Sequence, residues 1–194
     1  AVNSWTSGLI CSVGALDISP GDEIIVPTWT MSACATSILV WNAIPVFADI
    51  SYETYNLDPI DVEKKITKKT KAIMAVDIFG HSAPIKELKK IAKKYNLKII
   101  SDSAQSPGAK YGKNYAGTLT DIGGISLNYH KHINTGEGGV IFTNSKNYAQ
   151  RMQLIRNHAE SVVANKKVKS LQNLIGYNFR MGEIEAAIGI SQLK

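Results

Sequence analysis

Two short segments bring groups of opposite character to the end of strand-like runs. In Ile99-Ile100-Ser101-Asp102-Ser103-Ala104-Gln105 an acid stands just past an apolar run, where a ligand of an open sheet would sit. An aspartate capping a turn or a helix start fits the same position. In Ile125-Ser126-Leu127-Asn128-Tyr129-His130-Lys131-His132 a second run delivers a lysine, either to the same edge or, as with most lysines, to solvent. Gly136-Glu137-Gly138-Gly139 follows at once, and glycines so close together suit a backbone that passes near a ligand or takes positive φ. A phosphate-binding turn and a tight hairpin both satisfy that pattern. If the edge is shared, the chemistry on offer is that of a carboxylate and a primary amine facing one ligand.

The elements that would position these groups alternate β-branched runs with helical patterns, the mark of a parallel sheet with crossover helices. Strands are expected at Glu23–Pro27, Pro45–Asp49, Lys71–Val76, Lys98–Ser101, Gly123–Leu127 and Gly139–Thr143. Helices are expected at Ser7–Leu16, Thr30–Trp41, Pro59–Ile66, Pro84–Tyr95, Ser145–Arg156 and Met181–Leu193. Runs such as Ile24-Ile25-Val26 and Ile73-Met74-Ala75-Val76 are apolar without alternation, as in strands covered by helices on both faces. The expected fold is α/β, three layers α/β/α around a mostly parallel sheet, with its ligand at the carboxyl ends of the strands. Pro20-Gly21-Asp22 is a turn signal before the first clear strand, and with no repeat, low-complexity tract or linker the chain reads as one domain.

Composition narrows the function classes. With 194 residues, 44% of them hydrophobic and 20% charged, the chain has the make-up of a soluble globular domain. Cys11 and Cys34 stand singly, without metal-ligand spacing, so neither a disulfide framework nor a metal site is expected, and a reducing cytoplasm fits. The opening residues lack signal-peptide character and no apolar run approaches the roughly 20 residues of a membrane span, so no membrane partner is expected. The formal net charge of +6 comes with scattered lysines. Lys89, Lys90, Lys93 and Lys94 lie at helical spacing beside Ile85, Leu88, Ile91 and Ala92, which makes a solvated helix face, and no nucleic-acid partner is expected.

Several motifs acquire a joint meaning in order. Ser4-Trp5-Thr6 resembles a phosphate-loop pattern S-G-T; Gly21 to Pro27 resembles G-D-E-V-I-V-P; and Pro45 to Ile50 resembles P-V-F-x-D-I. Further on, Asp102 to Gln105 resembles D-x-A-Q, Ser126 to Lys131 resembles S-x-x-x-x-K, and Tyr177 to Glu183 resembles Y-N-x-R-M-x-E. All of these patterns belong to the DegT/DnrJ/StrS family of sugar aminotransferases, which depend on pyridoxal phosphate (PLP) and share the aspartate-aminotransferase fold. Residues 1–194 then resemble the family's PLP-binding large domain. Family members are commonly about twice this length, with a segment before the phosphate loop and a small C-terminal domain, so the resemblance implies that residues 1–194 are a fragment of a longer enzyme.

The resemblance implies a role for each matching residue. Asp102 would keep the cofactor's ring nitrogen protonated. Lys131 would form the Schiff base with the cofactor aldehyde and then move a proton at the substrate α-carbon. Its amine would need a pKa lowered by burial and nearby positive charge, to which His130 and His132 contribute if charged, unless both are only polar packing neighbours. Ser4, Trp5 and Thr6 would hold the phosphate at a helix start, with Ser126 as a further hydroxyl. Gln105 would approach the ring hydroxyl or cap the following turn. Asn178 would reach the phosphate of a neighbouring subunit, making a homodimer with shared active sites.

Two positions depart from the pattern. Trp5 stands where relatives usually carry glycine, and its side chain would either crowd the phosphate or point outward. Met31 stands where many relatives place an aromatic ring over the cofactor, leaving Met31 or Trp29 to cover it. The function implied is transfer of an amino group from glutamate to a nucleotide-linked keto-deoxysugar, for a surface polysaccharide or glycan. The rivals are a related PLP-dependent sugar dehydratase, in which histidine replaces the lysine, and a non-catalytic module that keeps the fold.

Overall fold

The computed structural model describes residues 1–160 and 174–194. Its frame is a six-stranded sheet of β1 (Glu23–Pro27), β2 (Ile44–Ala48), β3 (Thr70–Val76), β4 (Lys98–Asp102), β7 (Ile122–Ser126) and β8 (Gly139–Phe142), in the order β2-β1-β3-β4-β7-β8. All neighbours are parallel except β7 and β8, which pair antiparallel from Gly123↔Phe142 to Ser126↔Gly139. That exception follows from the connection. A parallel return needs a crossover of a dozen or more residues, usually helical, and residues 127–138 contain no helix.

The central strands bury alternate residues in two cores on opposite faces of the sheet. Ile24 and Val26 of β1, Met74 of β3 and Ile100 of β4 pack with α1 (Trp5–Ala15), α2 (Ala33–Leu39) and α5 (Lys146–Arg156). Ile25, Ile73, Ala75 and Ile99 pack with α3 (Pro59–Lys65) and α4 (Ile85–Tyr95). Burying each such aliphatic side chain contributes about 1.5–3 kcal/mol, so strands apolar at every position are what two helical layers demand. The arrangement is the expected three-layer α/β/α fold with a mostly parallel sheet.

Local chemistry sets the helix limits. Ser4, Asp58 and Ser145 cap α1, α3 and α5, each accepting a first-turn N–H on its side chain, and Pro59 begins α3 where its missing N–H costs nothing. Asn96 closes α4 in the left-handed conformation. On α4, Ile85, Leu88, Ile91 and Ala92 are buried while Lys89, Lys90, Lys93 and Lys94 are exposed, as the helical spacing requires.

The largest departure from the expected helix bounds is in α2. Instead of Thr30–Trp41, α2 spans Ala33–Leu39, because Thr30 and Met31 turn out towards the carboxyl ends of the strands and Asn42, at φ +56°, reverses the chain into β2. A two-stranded hairpin, β5 (Lys110–Tyr111) and β6 (Asn114–Tyr115), leaves the sheet between β4 and β7. The last element is α6 (Glu183–Gln192). Among the described residues no helix is long and apolar enough to cross a membrane, and no group of three or more His, Cys, Asp or Glu side chains is placed to hold a metal.

Candidate active site

Asp102 is the last residue of β4 and is 4% exposed. Its Oδ1 accepts the Trp5 indole N–H at 2.6 Å and the Ala104 backbone N–H at 3.0 Å, while Oδ2 accepts the Cys34 thiol at 3.2 Å. A carboxylate offers about four acceptor positions, two on each oxygen, so the free one is on Oδ2. Burial pushes the Asp102 carboxyl above the usual carboxylate range. The Ala104 N–H, the Cys34 thiol, the Trp5 indole and the Lys131 ammonium pull it back. The turn-capping and ligand-facing readings of this residue are therefore compatible, since one oxygen serves each.

A cleft of about 250 Å³ opens beside Asp102 at the carboxyl ends of β3, β4 and β7. Val76, Asp102 and Ser126 reach it from those strands, and Ser4, Trp5 and Thr6 from the start of α1. The first N–H groups of a helix have no carbonyl a turn earlier to bond. With no acidic residue in the first turn of α1, that end is suited to an anion. Ser4 already caps the helix through Ser7 N–H at 3.1 Å. Lys131 lies half-buried in the turn after β7, where its N–H donates to the Asn128 carbonyl at 2.9 Å, and it lines the same cleft. Asp102 and Lys131, 29 positions apart in the sequence, thus meet around one small space.

Similarity to known proteins agrees with this geometry. The model of the DegT/DnrJ/EryC1/StrS aminotransferase family matches residues 1–194. The chain belongs to that family. It is 40% identical over 193 residues to the GDP-perosamine synthase of Escherichia coli O157:H7, covering 100% of this chain and 52% of that protein. It is 41% identical over 189 residues to the dTDP-3-amino-3,6-dideoxy-alpha-D-galactopyranose transaminase of Aneurinibacillus thermoaerophilus, covering 96% of this chain and 50% of that one. Among solved structures, GDP-4-keto-6-deoxymannose-3-dehydratase with a trapped PLP-glutamate geminal diamine superposes with a TM-score of 0.90 at 31% identity, over 99% of this chain and 55% of that one. The chain spans about half the length of the curated relatives it matches.

Within this member of the aminotransferase family, every residue expected at the site except Asn178 lines the cleft: Ser4, Trp5, Thr6, Met31, Asp102, Gln105, Ser126 and Lys131. Asn178 sits elsewhere, bridged to Asn157, with its carbonyl accepting from Asn3 Nδ2 at 3.4 Å. Trp5 points inward and is 5% exposed. Met31, not Trp29, lines the cleft. Gln105 Oε1 accepts the Phe79 N–H at 3.0 Å, which leaves its Nε2 as the free donor. His130 lines the cleft edge-on to Tyr129, whereas His132 is exposed and outside the lining. Of the glycine-rich segment only Glu137 reaches the cleft. Gly138 and Gly139 instead make the return into β8, the Gly138 carbonyl accepting Leu127 N–H at 2.9 Å.

Sequence reasoning missed Cys34 and Asp77. Cys34 is one helical turn past Thr30, whose Oγ1 lies 3.2 Å from the thiol, and nothing local marks it as a partner of Asp102. Asp77, fully buried just beyond the end of β3, accepts from Ala83 N–H at 2.7 Å, from Ser82 Oγ and from Ser103 Oγ. It folds back the segment carrying Phe79, and so sets the N–H that orients Gln105. Its signal was an acid directly after an apolar strand, the same cue that selected Asp102.

Proposed function

We propose that residues 1–194 form the PLP-binding large domain of an aminotransferase that moves an amino group from glutamate to a nucleotide-linked keto-deoxysugar, in polysaccharide or glycan synthesis. One observation carries the reading: a buried carboxylate with a single free acceptor, a lysine and an open helix start face one cleft.

The cleft's donor and acceptor set fits PLP. The start of α1 and the Ser126 hydroxyl suit its phosphate, Oδ2 of Asp102 suits the ring N–H, Gln105 Nε2 suits the ring hydroxyl, and Met31 suits one ring face. Bound there, PLP supplies an electron sink for negative charge developing beside the amino group. The chain's own part is positional and protonic. Asp102 holds the proton at the ring nitrogen, which a neutral residue would not do. The Lys131 amine would hold the cofactor and, with the amino donor bound, would carry a proton at the donor's α-carbon.

The relatives' names support the substrate class: one is a GDP-sugar enzyme and another a dTDP-sugar transaminase. Glutamate as donor is supported by the geminal diamine trapped in the dehydratase neighbour. A homodimer with shared sites is supported by Asn178, which lies outside its own chain's cleft, and by the exposed Trp29, Met31 and Phe47. Free, buried Cys11 and Cys34 support a cytoplasmic setting. Against the dehydratase stands Lys131 in the cleft.

Adding PLP to the purified protein should produce the visible absorbance of a lysine-bound cofactor. Lys131→Ala and Lys131→Arg should abolish both that absorbance and amino transfer from glutamate. Retained transfer in either variant overturns the assignment. Absorbance without transfer of any amino group favours the non-catalytic module.

A further inference from the structure

The indole of Trp5 occupies a slot that only glycines leave open. A Cβ at Gly8 would lie 2.6 Å from Cε3 of the ring, and one at Gly124 would overlap Cζ3. Behind it, Gly139 lets the Trp5 backbone lie against β8, where a Cβ would be 3.0 Å from the Trp5 Cα. This slot directs the indole N–H to Asp102 Oδ1 at 2.6 Å, in a place where the carboxylate is also held by Ala104 from the following turn and by Cys34 from α2. Three separate elements therefore fix the plane of one carboxylate.

We propose that Trp5 is a positioning residue acting through Asp102: its indole N–H fills Oδ1 together with the Ala104 N–H, so that the remaining acceptor site, on Oδ2, is turned to the ring N–H of the cofactor. The inference rests on the PLP reading above. The charged and titratable groups around the Asp102 carboxylate are the Cys34 thiol of α2, Asp77 beyond β3 and Lys131 beyond β7, with His130 and Glu137 on the same cleft. A donor to a carboxylate favours its charged form. Removing the indole N–H therefore raises the pH at which Asp102 takes up a proton and ceases to hold the ring nitrogen's.

The test uses Trp5→Phe, which keeps a ring in the slot and loses the donor, alone and combined with Asp102→Asn. PLP dissociation constants are measured by visible absorbance across pH. With Asp102 present, Trp5→Phe should weaken PLP binding about tenfold or more, the usual range for a hydrogen bond to a charged group. The acid limb of binding should move to higher pH by about one unit. In the Asp102→Asn background the same substitution should change the constant less than about twofold. Equal losses in both backgrounds, or an unmoved acid limb, would show that Trp5 only fills space. Should Trp5→Phe fail to fold, the indole ¹H–¹⁵N resonance of Trp5, separated from those of Trp29 and Trp41 by their own Phe variants, carries the test. It should titrate with pH in the unsubstituted protein and not in Asp102→Asn; a resonance blind to Asp102 overturns the proposal. That titration needs no PLP, so its outcome is independent of whether the cofactor assignment survives.

Discussion

Replacing Gly8 by alanine should destabilise this protein, although the same change in an exposed helix interior stabilises by about 1 kcal/mol. At Gly8 the added Cβ would sit 2.6 and 2.8 Å from Cε3 and Cζ3 of Trp5, and 3.5 Å from Ile141 Cγ1. Carbon atoms prefer about 3.5–4.0 Å, so the indole must move by roughly an ångström. It has nowhere to go. Its other flank lies against Gly124, and its N–H is tied to Asp102 at 2.6 Å. Overpacking of this kind costs about 1–3 kcal/mol, so after the helix gain the net loss is up to about 2 kcal/mol. Trp5→Ala removes the obstacle, and Gly8→Ala in that background should then stabilise by up to about 1 kcal/mol. Urea denaturation of the four proteins measures both effects and their coupling. If Gly8→Ala stabilises in both backgrounds, the indole is not in the slot, and its bond to Asp102 is lost from the argument with it.

Three further outcomes follow from the same geometry. Asp102 has a carboxyl raised chiefly by burial, so its contribution to stability is fully present below the unfolded value of about 3.9 and is lost as pH rises through the folded one; the stability difference between the protein and Asp102→Asn should fall over that window, and a flat difference in urea titrations refutes it. Burial pushes the Cys11 thiol up to about 12 and, with the adjacent Asp102 charge, raises that of Cys34, so both should resist a thiol reagent in the folded protein and react at once in denaturant. Lys131→Ala and Asn178→Ala chains, each impaired alone, should regain amino transfer when unfolded and refolded together if sites are shared between subunits; no recovery in the mixture counts against the shared site.

The backbone frame was legible because its signals are local. β1 coincides with its expected span, and the other sheet strands fall within about two residues of theirs, since strands apolar at every position are recognisable without knowing their neighbours. The antiparallel β8 was left open, the glycines after Lys131 fitting a phosphate-binding turn as well as a hairpin, although a connection of residues 127–138 without a helix is poorly suited to a parallel return. The early start assigned to α2 was not corrected by sequence, because Thr30-Met31-Ser32 has nothing against helix except the cleft that Met31 lines. The small hairpin at Lys110–Tyr115 turns on Gly112 at φ +62°, a cue too short to stand out beside the neighbouring Gly108 and Gly117.

The site divides along the same line. Asp102 and Lys131 were legible because each follows a strand, and parallel strands deliver their carboxyl ends to one edge. The direction of Trp5 was not, because its own helix turn only leaves room at Gly8 and does not choose the side. Position 5 alone allows the ring to point outward. What turns it inward is space made 119 residues later, at Gly124, and an acceptor 97 residues later, at Asp102. Gly124 did carry a signal: a glycine inside a buried strand weakens that strand unless something needs the room. Strand β7 holds two, Gly123 and Gly124, against the Gly117 backbone and the Trp5 ring respectively. An oversized residue at the start of a helix and an undersized one in a central strand are thus one feature seen twice, and the carboxylate between them is where it acts on the chemistry.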